Sequence, residues 1–323
     1  MDQNNEIKSP RVSVVIPVYN TEAYVEEAVR SIMNQTLKDI EIIVIDDGST
    51  DNSLSVIKEL AREDNRIEWF SQTNMGQSVA RNVGFQKSRG EFVYFMDSDD
   101  ILADEALERC YNICVQNDLD FTFFDAEKIT HTDVEHYGYN RQNKFQNQIY
   151  SGIDILNIML KMNIYRVPPW LHFISRAFLI KEYILFDPSF RFFEDQIFTA
   201  RLYLAAERVG YMPDFFFKRR IRADSLMKQS YTLDKVKTYF KVADELLGLR
   251  NGLDKIKRDA IERITFQMLS AAIYNANILD FQERWNLFWI TLSKYPFYVS
   301  LKSYVVLLFP GSIQIKSIVK KHI

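Results

Sequence analysis

The stretch VSVVIPVYNTEAYVEEAVRSIMNQTLKDIEIIVIDD, residues 12–47, decides the fold. It begins and ends in apolar, β-branched runs, VSVVIPVY (12–19) and IEIIVID (40–46), such as strands covered on both faces carry. Between them Val25, Ala28, Val29, Ile32 and Met33 recur at helical spacing and predict a helix within 21–35. Strand, helix and strand joined by short links make the unit of a parallel sheet.

The alternation continues downstream. Asp51, Asn52 and Ser53 offer caps to a helix striped by Leu54, Ile57, Leu60 and Ala61. RIEWF (66–70) reads as a short strand, GQSVARNVGFQKS (76–88) as a helix and FVYFM (92–96) as a strand. Residues 101–117 read as a helix and FTFFDA (121–126) as a further strand. Residues 127–150 are polar and weakly periodic, a long loop by this reading; 151–225 return to mixed structure. From about 228 the pattern is helical with no further clear strand. The expected class is α/β, a mostly parallel sheet flanked by helices, followed by a C-terminal helical extension.

The 323 residues have room for one large α/β domain and an appendage, and 47% apolar content is enough for a sizeable core. A net charge of −3 gives no support to a nucleic-acid partner. The two cysteines, Cys110 and Cys114, fall four apart in a helical stretch, poor geometry for a disulfide. They read as core residues in a reducing compartment. The opening MDQNNEIKSPR lacks an apolar signal region, and no run approaches the roughly 18 to 20 apolar residues of a spanning helix. The expected location is cytoplasmic, with attachment to one side of a membrane as the alternative.

Ligands of open α/β sheets bind outside the carboxyl ends of the strands. Three strands here end in polar groups: Pro17, Tyr19 and Asn20; Asp46 and Asp47; Asp97, Asp99 and Asp100. Either acidic cluster alone reads as a turn or a helix cap, and Asp100 is the natural cap for a helix beginning near Ile101. Their recurrence on one rim points further. In extended geometry Asp97 and Asp99 share a face while Ser98 points away. They can then offer oxygens to Mg²⁺ or Mn²⁺, hard cations commonly shared with substrate phosphates. The four histidines, at 131, 136, 172 and 322, are too scattered for a zinc site.

Residues 12–53, then NMGQSVARNVGFQKSRGEFVYFMDSDD (74–100), resemble the nucleotide-sugar half of the family 2 inverting glycosyltransferases, which share the Rossmann-like GT-A fold. PPWLHFISRAFLIKEYILFDPSFRFFEDQIF (168–198) resembles the acceptor half of members that build bacterial surface polysaccharides. The resemblance covers roughly 215 residues, from 11 to about 225, in several ordered motifs. It divides the chain into an N-terminal tail (1–10), a nucleotide-sugar half (11–126), an acceptor half (127–225) and a helical C-terminal region (226–323).

The resemblance implies transfer of a sugar from a UDP-sugar, with a divalent cation, to a hydroxyl of a glycan or lipid-linked saccharide in polysaccharide or lipopolysaccharide synthesis. It places Pro17, Tyr19, Asn20 and Glu22 along the nucleotide, and Asp47, with Asp46 beside it, at the uracil. Asn74, Gly76, Arg81 and Asn82 flank base and ribose. Asp97, Ser98 and Asp99 match the DXD segment, with Asp99 on the metal and Asp97 on the ribose or metal. Asp195, beside Glu194, matches the catalytic base. Arg222 and Ser225 match a segment over the diphosphate, and Trp170 is a candidate to stack on the acceptor. Where relatives often read Pro-Trp-Asn-Lys, this chain has Pro-Trp-Leu-His (169–172), which leaves the acceptor open.

These residue types suit that chemistry. An acceptor hydroxyl needs a carboxylate to take its proton, and a departing diphosphate needs positive charge. Each feature also has a structural reading: Glu194 and Asp195 as acids favoured at a helix N-terminus, Trp170 as core, and Lys218, Arg219, Arg220 and Arg222 as a solvated face. A nucleotidyltransferase would carry a glycine-rich basic loop after the first strand, whereas PVYNTEAYVEE has no glycine and is acidic. A non-catalytic sugar-binding scaffold of the same fold is the other alternative, disfavoured by the complete set of acids.

After Glu283 the chain carries no acid, but it has Arg284, Lys294, Lys302, Lys316, Lys320 and Lys321, with dense aromatics between Phe281 and Phe309. Such helices can lie in the headgroup region of an anionic membrane. The alternative is packing on the catalytic domain or on a second subunit in a homo-oligomer.

Overall fold

The computed structural model describes residues 9–129, 134–135, 139–190, 192–221 and 231–310. It forms two compact units, Met1–Arg222 and Ala223–Ile323.

The first unit runs β1 (Val12–Val18), α1 (Val25–Met33), β2 (Ile40–Asp46), α2 (Ser53–Glu63), β3 (Ile67–Ser71), α3 (Gln77–Lys87), β4 (Phe92–Phe95), β5 (Ile101–Leu102), α4 (Ala106–Asn117), β6 (Phe121–Ile129) and β7 (Val134–Glu135). Then follow α5 (Gly152–Met162), β8 (His172–Ser175), α6 (Arg176–Lys181), α7 (Glu194–Ala205) and β9 (Val209–Arg220). One sheet takes the order β3-β2-β1-β4-β8-β6-β9-β5, with β7 added beside β6. The first four strands pair in parallel. β8 runs against both β4 and β6, so β6 and its parallel partner β9 point the same way as β1. The sheet is therefore mixed, with six of its nine described strands running in one direction.

Apolar runs explain the central position of β1, β2 and β4. Val12, Val14, Ile16, Ile42, Val44 and Tyr94 bury one face of the sheet with Val25, Val29 and Ile32 of α1 and Leu107, Cys110 and Cys114 of α4. Ile43 and Ile45 face the other way, against Ala80 of α3. A β-carbon on Gly84 would lie 2.3 Å from Val15 Cγ1, so a glycine there lets α3 lie directly on β1. The two cysteines are buried and unbonded to each other, as the helical spacing requires.

The chain builds β1, β2 and β3 in one direction and then places β4 on the other side of β1. Loops leaving β1 and β4 therefore part at their carboxyl ends, the place where open α/β sheets form a ligand-binding crevice.

Two local expectations are corrected. Residues 101–102 are not helical: they form β5 against β9, Ile101 opposite Lys218, and the helix begins at Ala106. The strand at 121 runs on to Ile129, into the stretch read as a loop, because its polar second half pairs with the basic end of β9.

The second unit contains α8 (Leu233–Gly248), α9 (Lys255–Asn275), α10 (Phe281–Lys294) and α11 (Leu301–Leu308) among its described residues. The side chains of Thr232, Asp254, Asp280 and Ser300 each cap one of these helices by accepting a backbone N–H. No strand occurs among these residues.

Candidate active site

The loops after β1 and β2 are fastened together. Asn20 takes a left-handed conformation (φ 51°), which asparagine tolerates, and its Oδ1 accepts the Thr50 N–H at 2.8 Å. Glu22 Oε2 accepts the Asn52 N–H at 2.8 Å, while Asp51 Oδ2 accepts the Glu22 N–H at 3.0 Å. Thr21 joins the same rim to the β4 end, its hydroxyl 3.0 Å from that of Ser98. Asn20, Glu22 and Ser98 thus hold the loops that border the crevice. Tyr19 extends outward from the same place and is 48% exposed.

Asp46 and Asp47 are both buried at the end of β2. Asp46 accepts from the Ser71 hydroxyl at 2.7 Å and the Ser49 N–H at 3.1 Å. Asp47 accepts from the backbone of Met75 and Gly76 at 2.9 and 2.8 Å, and from Gln72 Nε2 at 2.8 Å. It anchors the turn that delivers exposed Asn74 and starts α3. Gly48 completes this junction: its φ is +76°, and a β-carbon there would meet Asn74 N at 2.8 Å.

The centre of the site is Arg81 on α3. Its Nη2 donates to Asp97 Oδ1 at 2.8 Å and its Nη1 to Glu194 Oε1 at 2.9 Å. The guanidinium is buried over the Phe186 ring, 5.1 Å from its centroid. Burial works against its charge, but Asp97 and Glu194 outweigh that and hold it above its ordinary value. Gln77, which sequence reasoning passed over, donates Nε2 to the same Glu194 oxygen at 2.5 Å. The other oxygen, Oε2, is buried with no hydrogen-bond partner among the described residues. Burial raises the Glu194 carboxyl even against Arg81.

Asp195 follows in the first turn of α7, behind Phe193 in a left-handed conformation (φ 66°). Burial, then the Glu194 charge, pushes its carboxyl up to about 7, although Arg81 opposes the rise. A carboxylate with that proton affinity is matched to taking a proton near neutral pH. One guanidinium therefore ties Asp97, at the end of β4, to the acidic pair.

Asp97, Ser98 and Asp99 do not continue the strand. Ser98 and Asp99 form a turn, so strand alternation does not set their directions; Ser98 is buried against Thr21. Asp97 and Asp99 each keep part of their surface exposed. Asp100 is not a helix cap: it is buried, and its Oδ1 accepts the Arg220 N–H at 2.6 Å. Burial and the neighbouring Asp99 and Asp97 push it well above the usual carboxylate range.

The basic run of β9 is not a uniformly solvated face. Arg220 Nε donates to the Asp99 carbonyl at 3.1 Å, and its Nη2 pairs with Glu27. Arg219 donates to the Tyr139 hydroxyl at 3.0 Å and lies in the field of Asp100 and Asp97. Only the tertiary pairing of β5 with β9 brings these cations to the turn at Ser98 and Asp99. Arg222 and Ser225 lie outside the described residues.

Trp170 is corrected from acceptor platform to core. It is 3% exposed, and Phe217 stacks on it at 4.1 Å with a 7° interplanar angle. His172 is buried between the Pro168 carbonyl and the Tyr203 hydroxyl, each 3.2 Å away, and burial lowers its pKa to about 3. It is neutral and structural. Asn82 clips the backbone of Phe186 with both ends of its amide, at 2.7 and 3.0 Å.

No three acidic, histidine or cysteine side chains among the described residues group closely enough to hold a metal ion by themselves. The partly exposed carboxylates of Asp97 and Asp99 nonetheless suit a hard cation that takes its remaining ligands from a diphosphate and water.

The switch-point crevice, the acidic rim and the mixed sheet define the GT-A class of fold. The sequence profile of glycosyl transferase family 2 matches residues 13–170. Glycosyltransferase GlyG of Streptococcus pneumoniae serotype 4 is 32% identical over 235 residues, 70% of this chain and 75% of that protein. An uncharacterized glycosyltransferase of Haemophilus influenzae is 40% identical over 124 residues, 36% of this chain but only 50% of its own length. The crystal structure of S. aureus TarS 1-349 in complex with UDP-GlcNAc superposes with a TM-score of 0.63 at 23% identity, covering 92% of this chain and 79% of that one. The chain belongs to glycosyl transferase family 2.

Proposed function

We propose that this protein is an inverting glycosyltransferase that moves a sugar from a UDP-sugar to a hydroxyl of a glycan or lipid-linked saccharide in bacterial surface-polymer synthesis. The observation that carries the reading is the Arg81 bridge, which couples donor-side Asp97 to the Glu194–Asp195 pair. Family membership supports the reaction class. TarS, which shares the fold, is a protein crystallised with UDP-GlcNAc, and this supports a UDP-sugar donor.

In this reading the nucleotide lies over Tyr19 and the turn anchored by Asp47. Asp97 and Asp99 would hold a divalent cation; when bound, it supplies positive charge to the departing diphosphate. Arg81 keeps Asp97 oriented and balances the acids behind it. The acceptor oxygen attacks the anomeric carbon from the face opposite the leaving group. The carbon–oxygen bond to UDP breaks, and Asp195 takes the hydroxyl proton, so no covalent enzyme intermediate is required.

A thermal-shift screen of nucleotide sugars with Mn²⁺, Mg²⁺ or chelator tests this reading. The expected result is metal-dependent stabilisation by a UDP-sugar, followed by UDP release when the acceptor is supplied. Stabilisation by a different nucleotide would replace the base assignment. Stabilisation without turnover on any glycan acceptor would favour a binding scaffold.

A further inference from the structure

Among its described residues the C-terminal unit carries an exposed aromatic face. On α10, Phe281, Trp285 and Trp289 recur at intervals of four and are 64%, 43% and 52% exposed. Leu301, Val305 and Phe309 repeat the spacing along α11 and its C-cap, at 79%, 44% and 66%. The helices lie side by side: the Phe288 ring is 5.4 Å from Tyr304, and Arg284 Nη1 donates to the Leu307 carbonyl at 2.9 Å. Trp285 stands 5.9 Å from both Phe288 and Trp289, so the rings form one cluster. Phe297, between the helices, is 85% exposed. Single exposed apolar side chains are ordinary, whereas a continuous cluster of this kind marks a contact surface.

Charge selects the partner. From Arg284 to the last residue there are six lysines and arginines and no acid. Lys294 pairs with Asp244 at 2.6 Å, Arg284 lies over the Phe281 ring, 5.8 Å from its centroid, and Lys302 lies over the Tyr274 ring of α9 at 5.3 Å. Beyond Glu283 this stretch offers a second copy no carboxylate side chain to pair with its cations. An anionic lipid surface complements it, and tryptophan rings favour the headgroup boundary. No helix among the described residues is long and apolar enough to cross a membrane.

We propose that the α10–α11 face seats flat on an anionic lipid bilayer, with Trp285, Trp289 and Phe297 entering the headgroup boundary. This rests on the transferase reading only in that it would bring the enzyme to a lipid-linked acceptor. Binding is measured without donor or acceptor, so its failure and a failure of sugar transfer are distinguishable.

The test is flotation of the full chain with vesicles of phosphatidylcholine alone, or with about one third phosphatidylglycerol. The expected result is binding to the anionic vesicles, weakened by salt, with a blue shift of tryptophan emission. Trp285→Ser/Trp289→Ser should weaken it by about tenfold or more. Phe297→Ser, outside the helices, should weaken it in the same direction without changing helical circular dichroism. Absence of binding by the native chain, or equal binding by both folded variants, overturns the proposal. A concentration-dependent dimer that the same substitutions abolish would assign the face to a second copy instead.

Discussion

Arg81 donates to Asp97 at 2.8 Å and to Glu194 at 2.9 Å, so one buried guanidinium joins two acids 97 positions apart in the chain. The bridge solves an electrostatic problem. Asp97, Glu194 and Asp195 would otherwise repel one another in a poorly hydrated place, where unpaired charge is costly.

Arg81→Met should therefore cost about 3–5 kcal/mol of stability, the range for removing one partner of a buried ion pair. Urea denaturation at pH 7 measures it. Arg81→Lys should recover part of the stability but not the two-point geometry. An unchanged midpoint for Arg81→Met would show that the acids find another counter-charge.

Asp195→Asn should retain donor binding and lose transfer by about 10²–10⁴-fold. In the native protein the base must be ionised, and its carboxyl lies near 7. Transfer should rise about tenfold per pH unit below that value and level off above it. Glu194→Gln removes the neighbouring negative charge that raises Asp195, so it should move the rising limb to lower pH. A limb that stays in place would separate the two carboxyls.

The same shift has a stability consequence. Asp195 ordinarily titrates at 3.8 and in the fold at about 7, so the folded state holds the proton more tightly than the unfolded chain. Ionising it therefore costs stability as pH rises through that window. Asp195→Asn should melt higher than the native protein at pH 8 and close to it at pH 3. Equal melting at both would place the Asp195 carboxyl at an ordinary value.

Asp47→Ala should lower stability even without nucleotide, because it strands the N–H groups of Met75 and Gly76, at about 1–3 kcal/mol. UDP affinity should fall with it. Unchanged melting with lost UDP affinity would assign Asp47 to the uracil alone; lost melting with native affinity would make it a structural anchor only.

Asp99→Ala should weaken UDP-sugar binding by about tenfold or more in the presence of Mn²⁺ and have little effect in chelator. Calorimetric titration under both conditions distinguishes a cation ligand from a general donor contact. Equal affinities with Mn²⁺ for the native and substituted proteins would remove Asp99 from the metal.

Much of the first unit was legible because its signals are local. The runs at 12–19 and 40–46 became β1 and β2, and the Val25–Met33 stripe became α1. Strand-ending acids were legible for the same reason: a carboxyl end follows directly from where an apolar run stops. The Glu194–Asp195 pair was found through family resemblance, since its composition alone fits an acidic helix start.

The roles within the rim were less legible. Asp100 looked like a cap because it precedes an apolar stretch, yet its partner is the backbone of Arg220, 120 residues later. Trp170 looked available for a sugar until Phe217 of β9 covered its face. Gln77 gave no signal, because its Glu194 partner lies 117 positions away.

The amino-acid sequence determined the strand–helix alternation and the acids at the strand ends, since periodicity of two or 3.6 residues acts through near neighbours. The tertiary structure decided which acid is paired, buried or exposed, because that depends on the sheet order that sets β9 beside β5 and brings α3 and α7 together at Arg81. Desolvation and counter-charge are properties of that assembly, and they separate the buried anchors Asp47 and Asp100 from Asp97, Asp99 and Asp195 in the crevice.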